Sequence, residues 1–270
     1  MVVFDKYKKK GEWLIETFLA EAKDCFSLDD VQRKLKVSRD SASMILSRLK
    51  KKRQIISLSQ GVYAYFPPVE RKSGFDVSKV LSSIMRHWGS PHYVGLLTAA
   101  DYYGAAHYKP QVLQVMIPKA LGFRKAKSLG LEFHVQKHFP KEGITKIKTP
   151  AGYVPYSAPE LLVLDLIEYE KASGGFDNVA LVIKDILLHL KSADLQKIAL
   201  QYPVMAAVQR LGFILEFFGG EESLLLSLQR VMKKRGASIV ALSSLLPKKG
   251  KYDPKWRIIK NTTLEEIDDF

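Results

Sequence analysis

The stretch from residue 27 to 66 leaves this chain few ways to fold. Ser27 and Asp29 are cap residues ahead of a short helix, Asp30 to Leu35, in which Val31 and Leu35 lie four apart on one face. Lys36-Val37 leaves room only for a tight connection. Ser38 is a second N-cap, before a longer helix from Arg39 to about Lys52. In that helix Ala42, Ile45, Leu46 and Leu49 follow the i, i+3, i+4, i+7 spacing of a one-sided apolar stripe. Beyond it, Ile55 to Leu58 and Val62 to Phe66 flank Ser59-Gln60-Gly61, the pattern of a hairpin with glycine in its turn. Two short helices, a tight turn and a β-wing predict a winged helix-turn-helix, a unit that places its second helix in a DNA groove.

Charge supports that reading because of where it sits. The 270 residues carry a net charge of +14, which favours a polyanionic partner. Between Val31 and Arg53 there are nine lysines and arginines (33, 34, 36, 39, 48, 50, 51, 52, 53) against one acid, Asp40. With the apolar stripe turned inward, Arg39, Asp40, Ser43 and Ser47 share the outward face of the second helix. Arg39 suits a bidentate contact to guanine, Ser43 and Ser47 suit base edges or phosphates, and Asp40 suits a cytosine amino group. Arg48 and the run Lys50, Lys51, Lys52 and Arg53 suit phosphates, which add affinity without sequence information. Ser38 completes the helix start, and Ser59 and Gln60 form the wing tip that approaches the minor groove or backbone. The competing reading is a protein-interaction module whose lysine run is an ordinary helix end favoured by the dipole.

The rest of the chain bounds the fold class. Gly11 to Lys23 predicts a first helix with Cys25 near its end, behind a basic arm, Lys6 to Lys10. Pro67-Pro68 and Arg71 to Gly74 predict a linker, giving domains 1–70 and 71–270. Helices are expected at Val77 to Trp88 and Thr98 to Tyr103, the latter closed by Gly104. Strands are expected at 112–117, 131–137, 144–149 and 152–156, with a basic segment at Lys119 to Lys127. From Pro159 the pattern becomes helical, in segments ending near Glu170, Lys191, Gln201, Phe218 and Arg235. It returns to extended structure at Ser238 to Leu242 and Trp256 to Ile259, ahead of an acidic end at 265–269. The prediction is an α+β protein: a winged helix-turn-helix, then a mixed portion (71–158) and a mostly helical one (159–270). One cysteine excludes an intrachain disulfide and a multi-cysteine metal site. No signal-peptide pattern and no apolar run near 18 residues are present, so a cytoplasmic protein is expected.

No catalytic constellation emerges, and neither metal nor cofactor is expected. His134 and His138 lie in a strand pattern, with Val135 where a His-Glu-x-x-His site needs its acid. Gly89-Ser90 followed by Asp101 approaches a nucleotidyltransferase layout, yet Tyr103 stands at the second acid. Asp253-Pro254-Lys255 lacks the paired strand acid of a nuclease. Asp165, Glu168 and Glu170 fall on a helix, where carboxylates are ordinarily solvated.

The chain resembles the AbiEi antitoxins of abortive-infection (type IV) toxin–antitoxin systems. The carriers are Gly61 to Pro67 (GVYAYFP), Tyr93 to Gly104 (YVGLLTAADYYG) and Arg210 to Glu216 (RLGFILE). That resemblance implies an N-terminal domain that represses its own operon by binding inverted repeats in double-stranded DNA. It also implies a C-terminal domain that neutralises a nucleotidyltransferase toxin encoded alongside. It carries no catalytic residue into the C-terminal domain, and Gly212 is expected to permit close helix packing. The alternatives are a nuclease or nucleotidyltransferase-like enzyme acting on DNA, and a protein-interaction scaffold.

Overall fold

Ser27 and Asp30 satisfy each other at the start of the second helix. The Ser27 amide donates to Asp30 Oδ2 (2.8 Å), while Ser27 Oγ accepts from the Asp30 amide (3.1 Å), closing a capping box. The computed structural model describes residues 2–121, 129–149 and 152–264, excepting the side chains of 2–9 and Ser73. Its contacts define two units: residues up to Pro91 with the described parts of 121–132 and 148–152, and the remaining described residues from His92 onward.

The first unit runs α1 (Val2–Ala20), β1 (Cys25–Ser27), α2 (Leu28–Leu35), α3 (Arg39–Lys51), β2 (Ile55–Ser59), β3 (Val62–Tyr65), α4 (Glu70–Ser73), a 3-10 turn (Val77–Val80) and α5 (Leu81–His87). Its three strands are ordered β1-β3-β2, with both pairings antiparallel. Leu14, Ile15 and Phe18 of α1 pack with Val31, Ala42, Ile45, Leu46, Leu49 and Ile55, so the stripe read on α3 is the buried one. Each of these side chains larger than alanine contributes roughly 1.5–3 kcal/mol by leaving water. Gly11 sits inside α1, where a Cβ would stand 3.1 Å from Leu49 Cδ2, so the missing side chain brings α1 against α3.

Three local readings differ from the sequence expectation. The basic arm is part of α1, which starts at Val2. Cys25, expected only to lie near the end of the first helix, opens a strand, β1, that the sequence did not signal, and pairs with Ala64 of β3. Arg71 to Ser73 form a helical turn, because buried Glu70 holds the following backbone. Its carboxylate accepts from the Asp76 amide (3.3 Å) and from Lys79 Nζ (2.5 Å).

Most residues of a five-stranded sheet ordered β6-β5-β4-β8-β7 belong to the second unit. The strands are β4 (Tyr93–Val94), β5 (Leu113–Ile117), β6 (Leu131–Val135), β7 (Ile144–Thr149) and β8 (Gly152–Ser157), with α6 (Leu96–Tyr102) after β4. β4 runs antiparallel to β5 and parallel to β8. Most of the basic segment 119–127 lies outside the described residues, as do Pro150-Ala151 and the acidic end. The helices α7 (Pro159–Glu168), α8 (Phe176–Ile186), α9 (Ser192–Gln201), α10 (Met205–Phe217) and α11 (Glu222–Arg235) enclose one core. α7 starts with proline at its first turn and is buried from Glu160 through Ile167, an all-round apolar helix at the centre.

A small sheet, β10-β11-β9 (Lys251–Asp253, Ile258–Lys260, Val240–Ala241), closes the unit. Trp256, fully buried, lies over Gly212 of α10. A Cβ on Gly212 would stand 2.0 Å from the indole, so the expected close approach is made by a side chain from outside the helix layer. Gln209 Nε2 donates to the carbonyls of Trp256 (2.9 Å) and Ser238 (2.8 Å). Trp256 Nε1 donates to Glu216 (2.5 Å), and Arg210 Nε donates to Ala241 O (2.9 Å). Arg210 and Glu216 therefore reach separate parts of the closing segment.

Candidate nucleic-acid interface

α2 and α3 meet across Lys36 and Val37. Lys36 adopts the left-handed conformation (φ +50°), and its amide and that of Val37 both donate to the Gln32 carbonyl. Ser38 Oγ then caps α3, accepting from the Ser41 amide (3.3 Å). Asp30 keeps its charge despite partial burial: hydrogen bonds from Lys23 and from Ser27 outweigh desolvation and hold its carboxyl below the usual range.

On α3, Arg39, Asp40, Ser43, Ser47, Lys50 and Lys51 are exposed, and Arg48 is half-buried. Lys52 caps the helix C-terminus and Arg53 follows at φ +53°, both exposed. Among the described residues no carboxylate pairs with Lys50, Lys51 or Lys52. Arg53 is placed differently from them. Its guanidinium lies 5.9 Å from the Phe66 ring centroid and donates to Arg71 O (3.4 Å), which turns it along the protein surface. At the hairpin, a register shift between Ser57 and Ser59 bends β2, and Gly61 sits at φ +76°. Gln60 is exposed and Ser59 half-buried. The Gly61 carbonyl accepts from the Leu28 amide (3.0 Å), tying the hairpin turn to the start of α2.

Two residues of this face escaped the sequence reading. Met44 is exposed between Ser43 and Ser47; its only signal was an apolar residue out of register with the buried stripe. Asp29, named only as a cap, lies 3.6 Å from the Arg39 guanidinium. Both partners are well exposed, so the pair is worth little and leaves Arg39 free to exchange acceptors.

Asp165 on α7 and Glu170 just past its end are not solvated, contrary to expectation, while Glu168 is half-buried. Asp165 is fully buried and Glu170 nearly so. Tyr93 donates to Asp165 Oδ2 (2.8 Å). The Tyr202 hydroxyl lies 3.0 Å from Asp165 Oδ1 and 2.5 Å from Glu168 Oε2. The Tyr202 hydroxyl stands between the two carboxylates and has one proton to donate to either of them. Burial, opposed by the hydrogen bonds from Tyr93 and Tyr202, pushes Asp165 up to about 7. The same burial carries Tyr93 and Tyr202 well above the ordinary phenol range. His134 packs edge-on against Tyr169, 5.7 Å between centroids. Among the described residues no group of three His, Cys, Asp or Glu is arranged to hold a metal ion, and no helix is long and apolar enough to cross a membrane.

Tyr93, the first residue of β4 and a partner of Asp165, also opens the segment that other proteins share. Residues 93–217 match the AbiEi antitoxin C-terminal domain. The matched segment spans β4 through α10 and so contains Asp165, Tyr202 and Gly212. Two of the three stretches that carried the sequence resemblance, Tyr93 to Gly104 and Arg210 to Glu216, fall at its two ends. Among solved structures, the RV2827C protein from Mycobacterium tuberculosis shares the fold, with a TM-score of 0.67 at 15% identity over 93% of this chain and 90% of that one. No curated protein matches the chain. The α2–α3–hairpin lies outside the AbiEi match.

Proposed function

We propose that this chain is the antitoxin of a toxin–antitoxin pair, that it acts without catalysis, and that its first unit is a winged helix-turn-helix repressing its own operon. The observation that carries the antitoxin reading is the AbiEi match over residues 93–217. The repressor reading is supported by the outward face of α3, where Arg39, Asp40, Ser43, Met44 and Ser47 present base-reading chemistry beside Lys50, Lys51 and Lys52, which have no carboxylate partner among the described residues. The partner in the antitoxin role is a nucleotidyltransferase toxin encoded alongside.

The test has two arms. A gel-shift titration uses DNA upstream of the coding region against scrambled duplex at two salt concentrations. Wild type prefers its own upstream DNA, and Arg39→Ala loses about 1–3 kcal/mol of that preference. Equal binding to both duplexes would reduce the first unit to a general phosphate binder. Co-expression with the neighbouring toxin restores growth; failure to protect would remove the antitoxin assignment.

A further inference from the structure

The directions of its side chains around α3 rank them by how far each would reach into a groove. At 3.6 residues per turn, buried Ala42, Ile45, Leu46 and Leu49 share a mean direction, and Asp40, Met44, Ser47 and Lys51 lie within about 30° of its opposite. Arg39 lies about 110° from that outward line, on the flank of the helix beside Lys50. Met44 is the apolar member of the line, and it is 46% exposed. Single exposed apolar residues are ordinary on a surface, but this one stands among polar groups. Asp40 is one turn before it and half-buried Arg48 one turn after. Ser41 and Ser47 are three residues away on either side.

A lone methionine ringed by polar side chains is too small to be the apolar centre of a protein interface, where several large side chains cluster. It matches a single methyl group. In the major groove one base edge carries such a group, the C5-methyl of thymine, which apolar side chains contact; the other groups on those edges are hydrogen-bond donors and acceptors. Met44 also lies in the N-terminal half of α3, the half that meets base edges when a recognition helix enters the groove. Its unbranched thioether adapts to the direction from which a methyl approaches and offers the amino groups of neighbouring bases only a weak acceptor. Asp40, in the same line, has the chemistry for a cytosine amino group, so the outward line is directed at pyrimidine edges.

We propose that Met44 reads thymine, by burying its side chain against the C5-methyl group of that base in the upstream DNA. The proposal rests on the repressor reading above, with α3 as the helix in the groove. The experiment compares the upstream duplex with the same duplex carrying deoxyuridine in place of every thymidine, which removes the methyl groups and keeps the base pairing. Gel-shift titrations use full-length wild type, Met44→Ala and Met44→Leu, with scrambled duplex as reference and thermal unfolding to show that each variant folds. Wild type is expected to bind the deoxyuridine duplex about 3- to 10-fold more weakly. Met44→Ala binds both duplexes nearly alike, close to the weakened wild-type level, and Met44→Leu recovers most of the discrimination. Three results would overturn the assignment. The first is wild type binding the two duplexes equally. The second is a deoxyuridine penalty as large in Met44→Ala as in wild type, which would place the methyl dependence in DNA shape or in another residue. The third is Met44→Ala weakened by the same factor on upstream and scrambled DNA. A wild-type chain that does not prefer upstream over scrambled duplex overturns the repressor reading and this assignment with it.

Discussion

Helices α3 and α7 carry their polar residues in opposite ways. On α3 Ala42, Ile45, Leu46 and Leu49 face one side and most charges face water, where the Arg39–Asp29 pair is loose and replaceable. On α7 the apolar residues go all the way round, so Asp165 is enclosed and its oxygens are taken by Tyr93 and Tyr202. The first arrangement leaves charges available to a partner at little conformational cost. The second spends them on holding the unit together, since removing one member strands the others in a dry environment.

The contrast breaks most visibly at Asp165. Asp165→Leu leaves two buried hydroxyls without their shared partner and is expected to lower stability by about 2–5 kcal/mol in urea unfolding. Asp165→Asn keeps an acceptor for Tyr93 and a donor for Tyr202, so at pH 8 it should match or exceed wild type. Equal losses in the two variants would show that volume, not hydrogen bonding, governs the site. The pH dependence follows from the same geometry. Asp165 titrates near 7 in the folded chain and near 3.8 unfolded, so the folded state holds the extra proton between those values. Its contribution to stability is largest at low pH, falls as pH rises from about 4 through about 7, and is flat above. Asp165→Asn should remove that slope; a slope unchanged in the variant would assign it to other groups.

On α3 the effects belong to binding and leave stability alone. Replacing Lys50, Lys51 and Lys52 with alanine should weaken all duplexes alike and reduce the salt slope by up to about 3. A loss confined to the upstream DNA would instead make these lysines base readers. The smallest effect is expected at Asp29→Asn, which frees Arg39 from its exposed partner and tightens DNA binding by less than about 1 kcal/mol. Weaker binding would mean that Asp29 positions Arg39 rather than competes for it.

What was legible from the chain follows the same division. α2 and α3 are specified by near neighbours: Ser27 and Ser38 as caps and a stripe of four apolar residues at helical spacing. Those signals survive folding because they are local. β1 was missed because three residues carry no period, and its partner Ala64 is 39 positions away (64 − 25). Asp165 was misread because its partners are Tyr93 and Tyr202, 72 and 37 positions distant. A hint was present, though. An aspartate inside Leu161 to Ile167, apolar on all sides, has no solvent face to turn to. Glu170 was hidden for the same reason, since the serines it anchors lie beyond residue 240.

The seat of Trp256 over Gly212 also sets an order of events during synthesis. The slot is made by residue 212, but the indole that fills it is added 44 residues later (256 − 212). At about 5–20 residues per second, the gap lasts several seconds. During that time the AbiEi-matched segment, complete at residue 217, exists with its α10 groove open and Gln209 and Glu216 awaiting Trp256. The nascent segment is therefore vulnerable to wrong partners until the last small sheet arrives.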